Sequence, residues 1–223
     1  MPLTFAGTVD RTALHRAALA LAPLVGAPEV AAAWDRESAL PGMTVGGVAR
    51  HLVGQFEAAV EFLGILPPPS HAPVVTLVEL YRRTDWFTAP VDAPENTSIR
   101  DDFDAMAAGG QVDSVAVLAR STAWLPDAVA AAGPTTYVPW QDCSVSTDDF
   151  LVVRAMEVLV HADDLAASVQ LPLPDLDDEL THPALALLAV LSARQHGTPT
   201  ALRALARAER STGPAAAFGP VAG

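Results

Sequence analysis

Apolar residues recur every three or four positions along most of this chain, which is the period of an amphipathic helix and not of a strand. Between residues 45 and 64 the set Val45, Val48, Leu52, Phe56, Ala59 and Leu63 marks one face. Thr44 stands where an N-cap belongs, and Gly64 followed by Pro67, Pro68 and Pro69 ends the element. The same period predicts a helix over 9–25, capped by Thr8 or Asp10 and stopped by Gly26–Ala27–Pro28. It predicts another over 112–132, ahead of Gly133–Pro134, and a third that starts after Ser146 or Thr147 and runs to residue 169. Asp148 and Asp149 suit the first turn of that third helix, where the dipole favours negative charge. Shorter helices are expected at 29–35, 76–87 and 98–107, the last broken by Gly109–Gly110. Beyond the Pro-punctuated connection LPLPDLDDEL, two more are expected at 183–196 and 199–210, the second with Thr198 as cap and Pro199 in its first position. Strand formers cluster only at TTYVPW, so the linker 134–146 reads as irregular or briefly extended.

Four long amphipathic helices joined by connections of very different length predict an all-α four-helix bundle with additional C-terminal helices. The expected division is a metal-binding bundle over 1–170, a helical extension packed on it over 171–210, and a flexible tail over 211–223 unless Phe218 docks.

Charge and cysteine content narrow the function. The chain has 26 acidic and 13 basic residues, a net charge of -13, and all the basic residues are Arg. That balance excludes nucleic acid as the expected partner but leaves room for a small anion held by one Arg. A single cysteine, Cys143, forbids an internal disulfide framework and points to a reducing, cytoplasmic setting. The longest apolar run, PALALLAVL, is too short to span a bilayer, so no membrane partner is expected. Arg11 and Arg16 ahead of AALALAPLVGA resemble the start of a signal peptide, but Asp10 as a cap favours a folded helix there. GMTVGG lacks the spacing and the Lys of a phosphate-binding loop. A monomer or homodimer is expected.

Candidate chemistry concentrates on one helix. Glu157 and His161, four residues apart, project from one face. With His51 from a facing helix they would make a three-ligand site for a divalent metal, with one position left for an exchangeable ligand. Arg154 and Asp164 extend the same stripe by one turn on each side. Apolar Val152, Ala155, Val158, Leu159 and Leu165 cover much of the remaining circumference, as on a buried helix whose polar groups are in use. Arg154 would then bind a carboxylate or a thiol anion, or pair with Glu157; Asp164 would orient His161 or face water. The competing reading is a salt-bridge network on a metal-free scaffold. Cys143 has no base near it in sequence and reads as an incidental buried thiol. His15, His71, His182 and His196 show no ligand spacing, and Trp86, Trp124 and Trp140 read as packing residues, Trp140 with a possible place on a pocket wall.

These motifs carry a resemblance. LPGMTVGGVARHL at 40–52, followed far downstream by RAMEVLVHADDLA at 154–166, resembles the mycothiol-dependent maleylpyruvate isomerase family of the DinB-like metalloenzyme superfamily. Leu40, Pro41, Gly42, Thr44, Val45, His51 and Leu52 match its first motif; Arg154, Glu157, His161 and Asp164 match its second. The resemblance implies a DinB-like four-helix bundle that binds one divalent metal, often zinc, through His51, Glu157 and His161. It further implies mycothiol as co-substrate, and isomerisation of, or thiol transfer to, a small electrophile. A bundle that only holds metal or a small ligand is the alternative. Two departures stand out: Met43 where the family usually has Trp, and Gly47 where it usually has Asp. The isomerase also carries a C-terminal domain with strand character, whereas the residues after Gln170 read as two helices and a tail.

Overall fold

The computed structural model describes residues 3–84, 87–90, 92–211, 213 and 215–218. Helix α1 spans Ala13–Val25, α2 Pro28–Ala33, α3 Val45–Leu63, α4 Leu77–Arg82, α5 Pro94–Met106 and α6 Gly110–Ala131. An antiparallel hairpin follows, β1 Thr135–Val138 and β2 Cys143–Ser146, in which Thr135 faces Ser146 and Val138 faces Cys143. Helices α7 Thr147–Val169, α8 Asp178–His196 and α9 Thr198–Ala206 complete the chain. The fold is an all-α bundle: α3 packs against α6 and α7, and α1 against both of those. Leu21, Leu52, Phe56, Leu118, Leu125, Met156 and Leu165 are buried between these four helices. Helix α8 lies along α7, and α5 lies across α3. Among the described residues no helix is long and apolar enough to cross a membrane.

The two helices that carry the candidate chemistry are firmly started. Thr44 is extended, and its hydroxyl accepts from Gly47 N at 2.9 Å, capping α3. Ser146 caps α7 by accepting from Asp149 N at 3.1 Å. Asp148 and Asp149 do more than complement the helix dipole, because they also fasten the N-terminal segment. Phe5 N donates to Asp149 Oδ1 at 2.6 Å, Gly7 N to Asp148 Oδ2 at 2.7 Å, and Arg11 Nε to Asp148 Oδ1 at 2.6 Å. At its other end α7 stops where Gln170 turns left-handed at φ 58°, returning its N–H to the last carbonyls.

Element boundaries moved where capping is ambiguous. α1 begins at Ala13 rather than near 9; Asp10 instead folds a tight turn, accepting from Thr12 N and Oγ1. α4 ends at Arg82, short of 87; Asp85 and Trp86 lie outside the described residues. α5 starts at Pro94 instead of 98, because proline is well suited to the first turn of a helix. α8 starts at Asp178 instead of 183, capped by Asp177, whose carboxylate accepts from Leu180 N at 3.0 Å. The prolines do not stop α8 or α6: Pro183 and Pro126 both sit inside helices. α9 ends at Ala206, and Gly197, not Thr198, occupies its cap position. Trp124 is 61% exposed and does not pack in the core. Where it is described, the tail is fastened: Ser192 Oγ donates to Ala215 O at 2.6 Å and His196 Nε2 to Ala216 O at 2.7 Å. The Phe218 ring then stands edge-on to Phe87, 5.8 Å between centroids.

Candidate metal centre and its cavity

Residue 51 on α3 and residues 157 and 161 on α7 face each other across the interface between the two helices. His51, Glu157 and His161 each place one potential ligand atom within 4.8 Å of the other two. Because α7 returns Glu157 and His161 to the same face after one turn, His161 Nε2 lies 3.3 Å from Glu157 Oε2. The other ring nitrogen, Nδ1, is 3.1 Å from Asp164 Oδ2, one turn further on. Both ring nitrogens thus face carboxylates, which accept their protons; a metal at Nε2 would take the place of the proton there while Asp164 keeps the one on Nδ1. The His51 ring is sandwiched, 4.0 Å from the Phe103 ring and 4.0 Å from the His161 ring, which fixes its plane.

The electrostatics of this cluster are those of a site short of one positive charge. Burial and the neighbouring charges of His161 and Arg154 hold His51 well below its ordinary pKa. Burial alone would do the same to His161, but its hydrogen bonds to Asp164 and Glu157 outweigh it and push the ring up to about 9. Glu157 is held low in spite of burial, by His161 and Arg154. In the metal-free protein a proton on His161 therefore does part of the work of a cation. His51 Nδ1 is buried with no hydrogen-bond partner among the described residues. Two imidazoles and one carboxylate, converging on a common point with a carboxylate-supported histidine, form a donor set that suits zinc or a similar divalent ion.

Arg154 lies one turn before Glu157 and is buried. Its Nη1 donates to Gln55 Oε1 at 2.6 Å, while Nε is buried without a hydrogen-bond partner among the described residues. The guanidinium carbon is 5.6 Å from the Phe150 ring centre and 5.7 Å from that of Trp140. Arg154 and Glu157 make no direct ion pair, so the salt-bridge alternative for this arginine is replaced by a hydrogen bond to α3.

All of these groups open onto one cavity of about 720 Å³. Its walls come from α3, α4, α5, α7, the β-hairpin and Phe218, with Tyr81, Phe103, Val138, Trp140 and Phe150 among them. The size is that of a small-molecule site.

A sequence model of the family described as the mycothiol maleylpyruvate isomerase N-terminal domain matches residues 14–166. The chain belongs to that family. No curated protein and no solved structure matches the chain. The family match takes in both motif segments and stops before α8, so the helices α8 and α9 and the tail that supplies Phe218 lie outside the mycothiol maleylpyruvate isomerase N-terminal domain.

The two departures from the family pattern have visible consequences. Met43 is buried and lines the cavity. Gly47 makes room for a carboxylate from elsewhere: a β-carbon there would lie 2.0 Å from Asp104 Oδ1. Asp104, on α5, accepts from Thr44 N at 3.1 Å and from Thr44 Oγ1 at 2.6 Å. The N-terminus of the metal-site helix is thus still served by an aspartate, delivered by a different helix.

Sequence reasoning did not single out Gln55, Tyr81, Phe103 or Gln141, and it named Phe218 only as a residue that could dock the tail. Gln55 could have been found, since it lies one turn after His51 on the same stripe. The others are brought to the cavity by α4, α5, the hairpin and the tail, and no local pattern announces that.

Proposed function

We propose that this protein is a metal-dependent enzyme that activates a low-molecular-weight thiol, mycothiol, for addition to a small electrophile. The observation that carries the reading is the convergence of His51, Glu157 and His161 on a cavity of about 720 Å³. Its family supports the thiol. A divalent metal held by these three side chains would bind the thiol as thiolate and make it nucleophilic at neutral pH, where a free thiol is mostly protonated.

The chain's own residues supply the rest. Asp164 keeps His161 in the tautomer that presents Nε2. Gln55 holds one arm of Arg154 at the cavity wall, where the guanidinium would meet negative charge on the thiol or on the substrate as the thiolate adds. Phe103, Phe150 and Trp140 keep water from this charge. Reversible addition to a conjugated double bond permits rotation before the thiol leaves, giving isomerisation. Displacement of a leaving group gives transfer.

The test is zinc analysis of the purified protein joined to turnover of maleylpyruvate and of a model electrophile, each with and without mycothiol. One metal per chain and mycothiol-dependent turnover, both lost in His51→Ala and Glu157→Ala, is the expected result. Recovery of the thiol unchanged marks an isomerase; its appearance in the product marks a transferase. A protein that takes up metal but turns over neither substrate is a binding module, and one that takes up none overturns the reading.

A further inference from the structure

A metal-binding imidazole is ordinarily held in orientation by a hydrogen bond on its other ring nitrogen. His161 has that support in Asp164, 3.1 Å from its Nδ1. His51 does not. Its Nδ1 is buried with no hydrogen-bond partner, and no other hydrogen bond reaches its ring from the described residues. The ring is met instead by the side chain of Phe103, with 4.0 Å between centroids and planes only 13° from parallel. A ring stacked so closely covers one whole face of the imidazole, so His161, also 4.0 Å away and tilted by 32°, takes the other.

The sequence of α3 makes room for this contact. Gly54 follows His51 by three residues, on the same face of the helix. It stands inside regular helix, where glycine costs about 0.5–1 kcal/mol against alanine, so its own backbone gives no reason for it. Phe103 gives one: a β-carbon at position 54 would lie 3.0 Å from Phe103 Cε1 and 3.5 Å from Cζ. The first of these is tighter than an ordinary carbon–carbon contact, and the ring would have to lift away from α3. The ring therefore rests on bare backbone beside His51. Asp104, the next residue, fastens the same stretch of α5 to Thr44. α5 has little else to hold it, since Arg100 is its one buried residue.

We infer that Phe103 is the positioning residue for His51, seated in a socket that glycine at position 54 keeps open. It does by stacking what Asp164 does for His161 by hydrogen bonding. Phe103 offers the metal no ligand atom and acts on it only through the plane of the His51 ring. This role rests on the metal-centre reading above.

Titration of the full chain with cobalt(II), a coloured stand-in for zinc, tests it, because the d–d absorption reports the arrangement of the ligands as well as the affinity. Phe103→Ala is expected to bind cobalt on the order of tenfold more weakly, with an altered spectrum at saturation. Phe103→Tyr keeps the ring and is expected to match the wild type in both. Gly54→Ala should weaken binding in the wild type and cause no further loss in Phe103→Ala protein, where the ring is gone. It carries the test in a chain that keeps every large side chain, should Phe103→Ala not fold. The metal-free protein gives an independent readout. There the ring current of Phe103 shifts the His51 ring protons upfield in the NMR spectrum, and Phe103→Ala should move them back. Unchanged cobalt affinity and spectrum in Phe103→Ala, or an equal loss from Gly54→Ala in both backgrounds, overturns the role of Phe103 and leaves the metal centre standing. If the wild type takes up no cobalt, the function proposed above fails, and the His51 shift alone decides whether Phe103 holds the ring: a shift unmoved in Phe103→Ala overturns it.

Discussion

Replacing Gly47 by Ala tests whether α5 is latched to the metal-site helix. A β-carbon at position 47 would meet Asp104 Oδ1 at 2.0 Å and Met43 Cγ at 3.0 Å. Met43 is buried, so the carboxylate has to leave. Its departure breaks the bonds from Thr44 N at 3.1 Å and Thr44 Oγ1 at 2.6 Å. Water re-solvates part of what is lost, so each of these charge-assisted bonds contributes about 1–1.5 kcal/mol. Alanine in place of glycine in a helix returns about 0.5–1 kcal/mol. The net destabilisation is about 1.5 kcal/mol, a fall in Tm of roughly 3–6 °C for a chain of this size. Thermal unfolding followed by circular dichroism, in chelator and again with zinc, measures it. The diagnostic is the background: in Asp104→Ala protein the obstacle is gone, and Gly47→Ala should raise Tm instead of lowering it. α5 also carries Phe103, stacked 4.0 Å from the His51 ring, so the single variant is expected to lose zinc affinity along with stability. If Gly47→Ala leaves Tm unchanged in the wild type, or has the same effect with and without Asp104, the latch does not exist.

Other outcomes follow from the same geometry. Zinc binding should release a proton at pH 7, because His161, whose pKa is pushed up to about 9, must give one up, and affinity should climb with pH until that value is passed; calorimetry in buffers of different ionisation enthalpy counts the proton. For the metal-free protein the sign is opposite: a raised His161 pKa gives stability fully present below the ordinary histidine pKa of about 6.5 and lost as pH rises through about 9, which denaturant titrations across that window will show. Gln55→Leu leaves the buried Arg154 without its 2.6 Å acceptor and should cost about 2–3 kcal/mol in urea unfolding, with Arg154→Leu in the same background restoring part of it. Cys143 is fully buried and burial raises its thiol pKa, so a disulfide reagent at pH 8 should label the native chain slowly and one equivalent at once after denaturation.

The parts of the fold that could be read from sequence are those whose signals are local. Thr44 and Ser146 cap α3 and α7 by contacts within three residues, and the four-residue step from Glu157 to His161 survives folding because a helix enforces it. The starts of α5 and α8 were obscured by Pro94 and Pro183, since proline reads as a break from outside a helix and as a first-turn residue from inside one. In the cavity the legible residues are those on α3 and α7, together with Trp140 between the two strands. Tyr81, Phe103, Gln141 and Phe218 reach it from four separate segments, and their juxtaposition depends on how α4, α5, the hairpin and the tail pack, which no periodicity encodes. Asp104 is the sharpest case. The family pattern looks for an acid at position 47, finds Gly, and has no means of seeing that α5 delivers one to the same helix end.

The docking of Phe218 has a practical side. Its ring forms part of the cavity wall, and Ala215 and Ala216 are pinned to α8 just before it. The last described residue therefore lies on the cavity wall. A run of histidines appended there for purification would be tethered beside two native imidazoles and a carboxylate, able both to obstruct the opening and to compete as ligands. Metal contents and rates taken on such a fusion would report on the handle as much as on the protein. A handle ahead of Thr4 is the sounder choice, because Thr4 and Phe5 are fastened to Asp149 at the start of α7 and take no part in lining the cavity.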